Sequence, residues 1–217
     1  MNLIQSILNL IYPPKCPFCG RVLEKGEVDL CSRCQRSLPW TEGQNPSVDF
    51  CDVSLSPLKY ENGVRKAVHC YKFSYGHMHS KFLGTLMAQC LGDRWSEPVD
   101  AIVWVPLSKK HRARRGYDQA ELLARRVGEL AHIPVIGVLE KVRETETQSR
   151  IERPAERRAN VLGAYRVREG AEVKGLRVVL VDDVVTSGAT LSECASCLRM
   201  AGVESVAALT LACARKK

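Results

Sequence analysis

The sequence predicts an α/β protein with a mainly parallel sheet and a small N-terminal four-cysteine zinc module. Three observations carry this expectation. Continuous apolar runs such as VDAIVWVPL (99–107) and LRVVLVD (176–182) alternate with amphipathic stretches such as YDQAELLARRVGELA and TLSECASCLRMAG. Apolar strands separated by such helices build parallel sheets covered on both faces. Two C-x2-C pairs, Cys16-Pro-Phe-Cys19 and Cys31-Ser-Arg-Cys34, stand eleven residues apart near the N-terminus. The length, 217 residues, suits one ordinary domain plus a small accessory one.

In chain order, Leu3, Ile4, Ile7, Leu8 and Ile11 fall at helical spacing ahead of Pro13-Pro14, which predicts a short docking helix over residues 1–12. This segment lacks the basic start and small-residue cleavage site of a signal peptide. No apolar run approaches the ~18–20 residues of a membrane span. A cytoplasmic, reducing location is therefore expected. There, two C-x2-C knuckles supply the four thiolates of a tetrahedral zinc site, so Cys16, Cys19, Cys31 and Cys34 are the metal candidates. Gly20 follows the first knuckle, where a positive φ is often needed. Residues 13–45 offer little core of their own, so metal would supply their stability. The other six of the ten cysteines sit among apolar residues and read as core packing, Cys194 and Cys197 included.

The division expected is 1–45 for the helix and zinc module and 46–217 for the α/β domain. A polar link over 46–58 runs into the extended CDVSLSPL. Phe82, Leu83, Leu86, Met87 and Cys90 share one helical face. After the strand 99–107, Asp118 and Glu121 mark a capping box that opens a helix. IPVIGVL (133–139) reads as a strand. Residues 143–160, polar and interrupted by Pro154, have no apolar period and read as a mobile loop. LRVVLVD is the central strand. The next helix has Thr190 and Glu193 as a capping box and Gly202 as its stop, and VESVAALTLA (203–212) is the last strand.

The chemistry concentrates in VVLVDDVVTSGAT (178–190), where an apolar strand runs into two acids and a small-residue turn. Ligands of doubly wound sheets bind at the carboxyl ends of the strands. Thr186, Ser187, Gly188, Ala189 and Thr190 lead into a helix, whose first N–H groups and three hydroxyls suit a phosphate monoester. Gly188 lets backbone approach the phosphate closely. Asp182 and Asp183 cannot also hold phosphate. They suit vicinal hydroxyls, bound directly or through a divalent cation. Phosphate on one side and a diol on the other describe a ribose 5-phosphate.

This stretch resembles the ribose-phosphate motif of the type I phosphoribosyltransferase fold. The four-cysteine module, VPLSKKHRARRGYDQAELLAR (105–125) and TETQSRIERPAERRANVLGAY (145–165) extend the resemblance to nearly the whole chain, and narrow it to the ComF family of competence-associated proteins. The resemblance implies that Asp182 and Asp183, the catalytic candidates, bind the ribose hydroxyls of phosphoribosyl pyrophosphate. It implies that residues 186–190 bind its 5-phosphate, and that Mg²⁺ bridges pyrophosphate and ribose oxygens. The loop at Ser108 and Lys109 would hold pyrophosphate. Thr145, Gln148, Arg157 and Asn160 match the family's closing loop. Lys72 and Phe73 match a K-[FY] element whose role stays open. His111 stands where the family often has a basic residue, which leaves the charge of that loop open.

Two functions of different class remain. One is an enzyme that transfers ribose 5-phosphate from phosphoribosyl pyrophosphate to an acceptor. The other is a non-catalytic partner in DNA uptake that binds single-stranded DNA and other competence proteins. Lys+Arg 32 against Asp+Glu 24, a net charge of +8, favours anionic partners in either case. The low aromatic content, 6%, weakens a base-stacking platform.

Overall fold

The computed structural model describes residues 13–43, 45–73, 76–145 and 153–214. The expected helix over 1–12 lies outside the described residues, as does Gln148.

The first element is a short helix, α1 (Ser32–Arg36), beside the cysteine knuckles. Then come β1 (Val53–Leu55), β2 (Leu58–Lys59) and the helix α2 (Asn62–Phe73). A 3-10 turn at Gly76–His79 leads to α3 (Ser80–Arg94), β3 (Ala101–Trp104), α4 (Lys109–Arg115) and α5 (Gln119–Ala131). β4 (Val135–Ile136), β5 (Leu139–Lys141), α6 (Pro154–Val161) and β6 (Tyr165–Val167) follow. β7 (Arg177–Val185), α7 (Ala189–Met200) and β8 (Ser205–Cys213) close the fold.

The main sheet has the order β1-β8-β7-β3-β4, with β2 also on β8, and every pairing in it is parallel. β7 therefore lies in the middle, flanked by β3 and β8. Successive side chains of a strand leave on opposite faces. Along β7, Val179 and Val181 enter the core beneath α2, α3 and α5. Val178 and Leu180 enter the core beneath α7. The zinc module adds Cys16, Phe18, Leu30 and Cys31 to the first core. Among the described residues no helix is long and apolar enough to cross a membrane.

Three expectations need correction. The strand expected over 133–139 splits at Gly137, and β5 pairs instead with β6 as a separate antiparallel hairpin. The Trp104 ring lies 2.6 Å from where a Cβ on Gly137 would stand, so close packing there replaces a regular strand. Residues 154–161, read as loop, form α6 with Pro154 at its first turn. Among its described side chains only Val161 is an apolar one deeply buried, too little to give a helical period. The N-cap of the helix after β7 is Gly188 rather than Thr190, and Glu193 accepts the Gly163 N–H instead of closing a capping box. At α5 the Asp118 carboxylate does cap Ala120 and Glu121, while the Glu121 carboxylate pairs with Arg112 and Arg125.

Candidate functional site

A cleft of about 580 Å³ opens at the carboxyl end of β7. Asp182, Asp183 and residues 186–190 all line it. Thr186 and Ser187 form the bend after the strand, and Gly188 takes φ +78° as the residue before the helix. A left-handed backbone is the conformation glycine supplies without strain. Ser187 Oγ accepts the Ala189 N–H at 3.5 Å, and Gly188 O accepts Ser192 N–H at 2.8 Å. The first N–H groups of an α-helix lack intrahelical partners. Here they border the cleft beside the hydroxyls of Thr186, Ser187 and Thr190.

The two acids face different surroundings. Asp182 Oδ1 accepts the Asp183 N–H at 2.7 Å. Burial, and then the charge of Asp183, push its carboxyl up to about 8. Asp183 is 4% exposed. Its Oδ1 lies 2.8 Å from Lys72 Nζ, and its Oδ2 accepts from Gln119 Nε2 at 3.3 Å. Gln119 Oε1 in turn accepts from Arg115 Nη1 at 2.6 Å. Burial works against the Lys72 charge, but the charge and hydrogen bond of Asp183, together with Asp182 and Tyr60, hold the ammonium above its ordinary pKa. Lys72 stands in the last turn of α2, and Tyr71 beside it donates to Gln119 O at 2.8 Å.

The remaining candidates spread around this centre. Val105, Pro106 and Leu107 line the cleft, but Ser108 and Lys109 do not. Ser108 is buried as the N-cap of α4, with its Oγ 2.8 Å from His111 Nδ1. Lys109 is exposed at the start of that helix. Burial holds His111 below its ordinary pKa, against the pull of Glu144, so it is mainly neutral at pH 7. Arg157, carried by α6, lines the cleft and donates to Thr186 Oγ1 at 3.0 Å. Thr145 accepts from Lys141 Nζ at 2.7 Å, and Asn160 O accepts from Arg143 at 3.0 Å. Lys141 lines the cleft 5.3 Å from the centre of the Tyr165 ring, and burial lowers its pKa.

Sequence reasoning missed Lys141 as a site residue and left the role of Lys72 open. Lys72 and Gln119 lie on α2 and α5 while the acids lie on β7, and local pattern does not show which helix face meets the sheet edge. The K-[FY] element was the available signal for Lys72.

The four cysteine sulfurs lie within 4.8 Å of one another, with Cys19 Sγ and Cys31 Sγ 3.7 Å apart. Sulfurs at the corners of a tetrahedron with ~2.3 Å zinc bonds stand about 3.8 Å apart, so the set fits zinc. The first knuckle closes by Gly20 N–H donating to Cys16 O at 2.8 Å, with Gly20 at φ +82° as expected. Lys66 of α2 donates to Cys19 O at 2.8 Å, which ties the knuckle to that helix. Cys194 and Cys197 lie on the buried face of α7, where Cys197 donates to Tyr165 O at 3.3 Å.

Residues 113–217 match the phosphoribosyl transferase domain family, and residues 7–71 match the double zinc ribbon domain. Competence protein F of Haemophilus influenzae is 38% identical over 202 residues, 89% of this chain and 82% of that protein. The chain belongs to the ComF family. Other relatives carry other names. The DNA utilization protein YhgH of Salmonella typhi is 33% identical across 88% of this chain and 80% of its own. Competence protein ComFC of Bacillus subtilis is 29% identical across 90% and 76%. This ComF chain thus pairs a zinc ribbon with a phosphoribosyltransferase-type domain.

Proposed function

We propose that this protein binds phosphoribosyl pyrophosphate, or a related ribose 5-phosphate, at residues 182–190, in a role in DNA uptake during natural transformation. One observation carries the ligand reading: the acid pair and the hydroxyl turn, contiguous in sequence, line a single cleft at the carboxyl end of the central strand. The turn offers N–H groups and hydroxyls to a phosphate, and Arg157 adds a guanidinium beside Thr186. The acids offer acceptors to ribose hydroxyls. The names of the relatives support the biological role.

In this reading Mg²⁺ arrives on the pyrophosphate, as part of the ligand. The acids themselves suit a resident divalent ion poorly, because both oxygens of Asp183 already have donors. Residues 105–107 line the cleft, and in this reading they and the start of α4 would face the pyrophosphate. Transfer of the ribose would proceed by holding both ends of the donor and stabilising the leaving pyrophosphate, without a covalent intermediate. A second reading rests on α4, where Lys109, Lys110, Arg112 and Arg114 are all exposed on one seven-residue helix. This cluster suits the backbone of single-stranded DNA, which the same fold would carry to other competence proteins without catalysis.

Calorimetric titration of Mg²⁺–phosphoribosyl pyrophosphate tests the first reading. Wild type is expected to bind and Asp182→Asn/Asp183→Asn is not. A folded, zinc-loaded wild type that binds nothing would leave the second reading.

A further inference from the structure

We propose that Lys72 is the resident cation of the ribose subsite, so that a ribose 5-phosphate binds there without a divalent metal. The inference rests on the ribose-phosphate reading of residues 182–190 and assigns that site a group from outside the phosphoribosyltransferase motif.

The geometry is specific. Lys72 Nζ stands 2.8 Å from Asp183 Oδ1, with the two side chains 25% and 6% exposed. Gln119, itself fixed by Arg115, takes the other carboxylate oxygen. A buried carboxylate needs a cation and hydrogen-bond donors to remain charged, and Asp183 has both from side chains of this chain. Each of its oxygens already faces a donor from this chain, one of them a full positive charge 2.8 Å away that disfavours a second cation there. The ammonium has three N–H donors, of which Asp183 takes one. Lys72 also lines the cleft, so its other donors are available to ribose oxygens.

The charge balance agrees. Asp182 is mainly protonated near neutral pH, because burial and Asp183 raise it to about 8. Lys72 and Asp183 cancel. The subsite is then close to neutral at pH 7 and has little excess negative charge with which to recruit Mg²⁺. A protonated Asp182 donates one hydrogen bond and accepts others, as a sugar hydroxyl does. The lysine is held firmly. Val64, Ala67, Val68 and Tyr71 bury the inner face of α2, and the Tyr117 hydroxyl donates to Tyr71 O.

The test is titration of ribose 5-phosphate, which carries no pyrophosphate, in excess EDTA and in excess Mg²⁺. Wild type is expected to bind equally well in both. Lys72→Met is expected to weaken binding in EDTA by at least about tenfold, the loss of one charge-assisted hydrogen bond, and to recover with Mg²⁺. Lys72→Arg keeps the charge and is expected to bind in EDTA. A wild type that requires Mg²⁺, or a Lys72→Met protein that binds normally in EDTA, would overturn the proposal. The wild-type comparison decides even if Lys72→Met does not fold. Mn²⁺ titration followed by electron paramagnetic resonance, without sugar, reads the same point independently. Wild type should show no Mn²⁺ site at the acids, and a site that Asp183→Asn abolishes would refute the resident-lysine assignment. Absence of ribose 5-phosphate binding in both buffers would instead sink the ribose-phosphate reading and take the metal-free binding with it.

Discussion

Asp182 and Asp183 are neighbours in sequence, yet their surroundings give them different chemistry. Alternation along β7 turns Asp183 toward α2 and α5, where Lys72 and Gln119 meet it. Asp182 has the Asp183 N–H as its hydrogen-bond donor, and burial raises its pKa to about 8. An unfolded aspartate titrates near ~3.9. The native state therefore binds more protons between about pH 4 and pH 8, and this group's contribution to stability is lost as pH rises through that window. Asp182→Asn removes the effect. In the ligand-free protein the variant should gain stability relative to wild type from pH 5 to pH 8. Because Asp182 borders an open cleft, a gain of about 1 kcal/mol is expected at pH 8, or ~2–4 °C in melting temperature. Thermal melts across that range check it. A gap between variant and wild type that stays constant with pH would show that Asp182 is ionised throughout.

The helix α2 connects the two ends of the molecule. At one point Lys66 holds Cys19 O, and Gly63 packs against Phe18, with Phe18 O 3.1 Å from where a Cβ would stand. Less than two turns later Lys72 reaches Asp183. The zinc knuckle thus fixes the helix that supplies a cation to the cleft. Removing zinc by chelation, or by Cys16→Ser, should lower metal content from about one ion per chain. It should also lower the melting temperature, speed amide exchange along 62–73, and weaken ribose 5-phosphate binding although no residue of 182–190 changes. Metal analysis with hydrogen-exchange mass spectrometry checks this. A metal-free protein with wild-type protection in α2 would show that the helix holds its place without the knuckle. The long-range coupling explains what the sequence disclosed and what it hid. The knuckles, β7, the Asp118 cap and the turn at Gly188 are local, and residue type with spacing reveals them. The Lys72–Asp183 pair depends on how α2 lies across the sheet edge, which no local period encodes. α6 was hidden for a different reason: its stability comes from Pro154 at the first turn and from contacts with α7, not from an apolar face.

The excess of positive charge over the whole chain, +8, is not spread evenly. Arg115 is drawn inward to Gln119 and stands 4.9 Å from the Phe73 ring centre, and Arg157 is drawn to Thr186. Arg112 reaches Glu121 at 3.3 Å with more than half its side chain still in solvent. Lys109, Lys110, Arg112 and Arg114 remain as an exposed cationic group on the helix that follows the cleft-lining residues 105–107. Single-stranded nucleic acid releases counterions when lysine and arginine neutralise its phosphates, with a slope of log affinity against log salt near −0.7 per phosphate. Four contacts from this helix would give a slope of about −3, and Arg112→Ala/Arg114→Ala should reduce its magnitude by about 1.4. Fluorescence anisotropy of a labelled oligonucleotide across a salt series measures both. An affinity indifferent to salt would exclude a phosphate-backbone grip. A steep slope unchanged in the double variant would place the grip on another face. A slope that falls as expected would put DNA at the rim of the cleft that residues 182–190 line, close enough for a ligand in the cleft and DNA on α4 to affect one another.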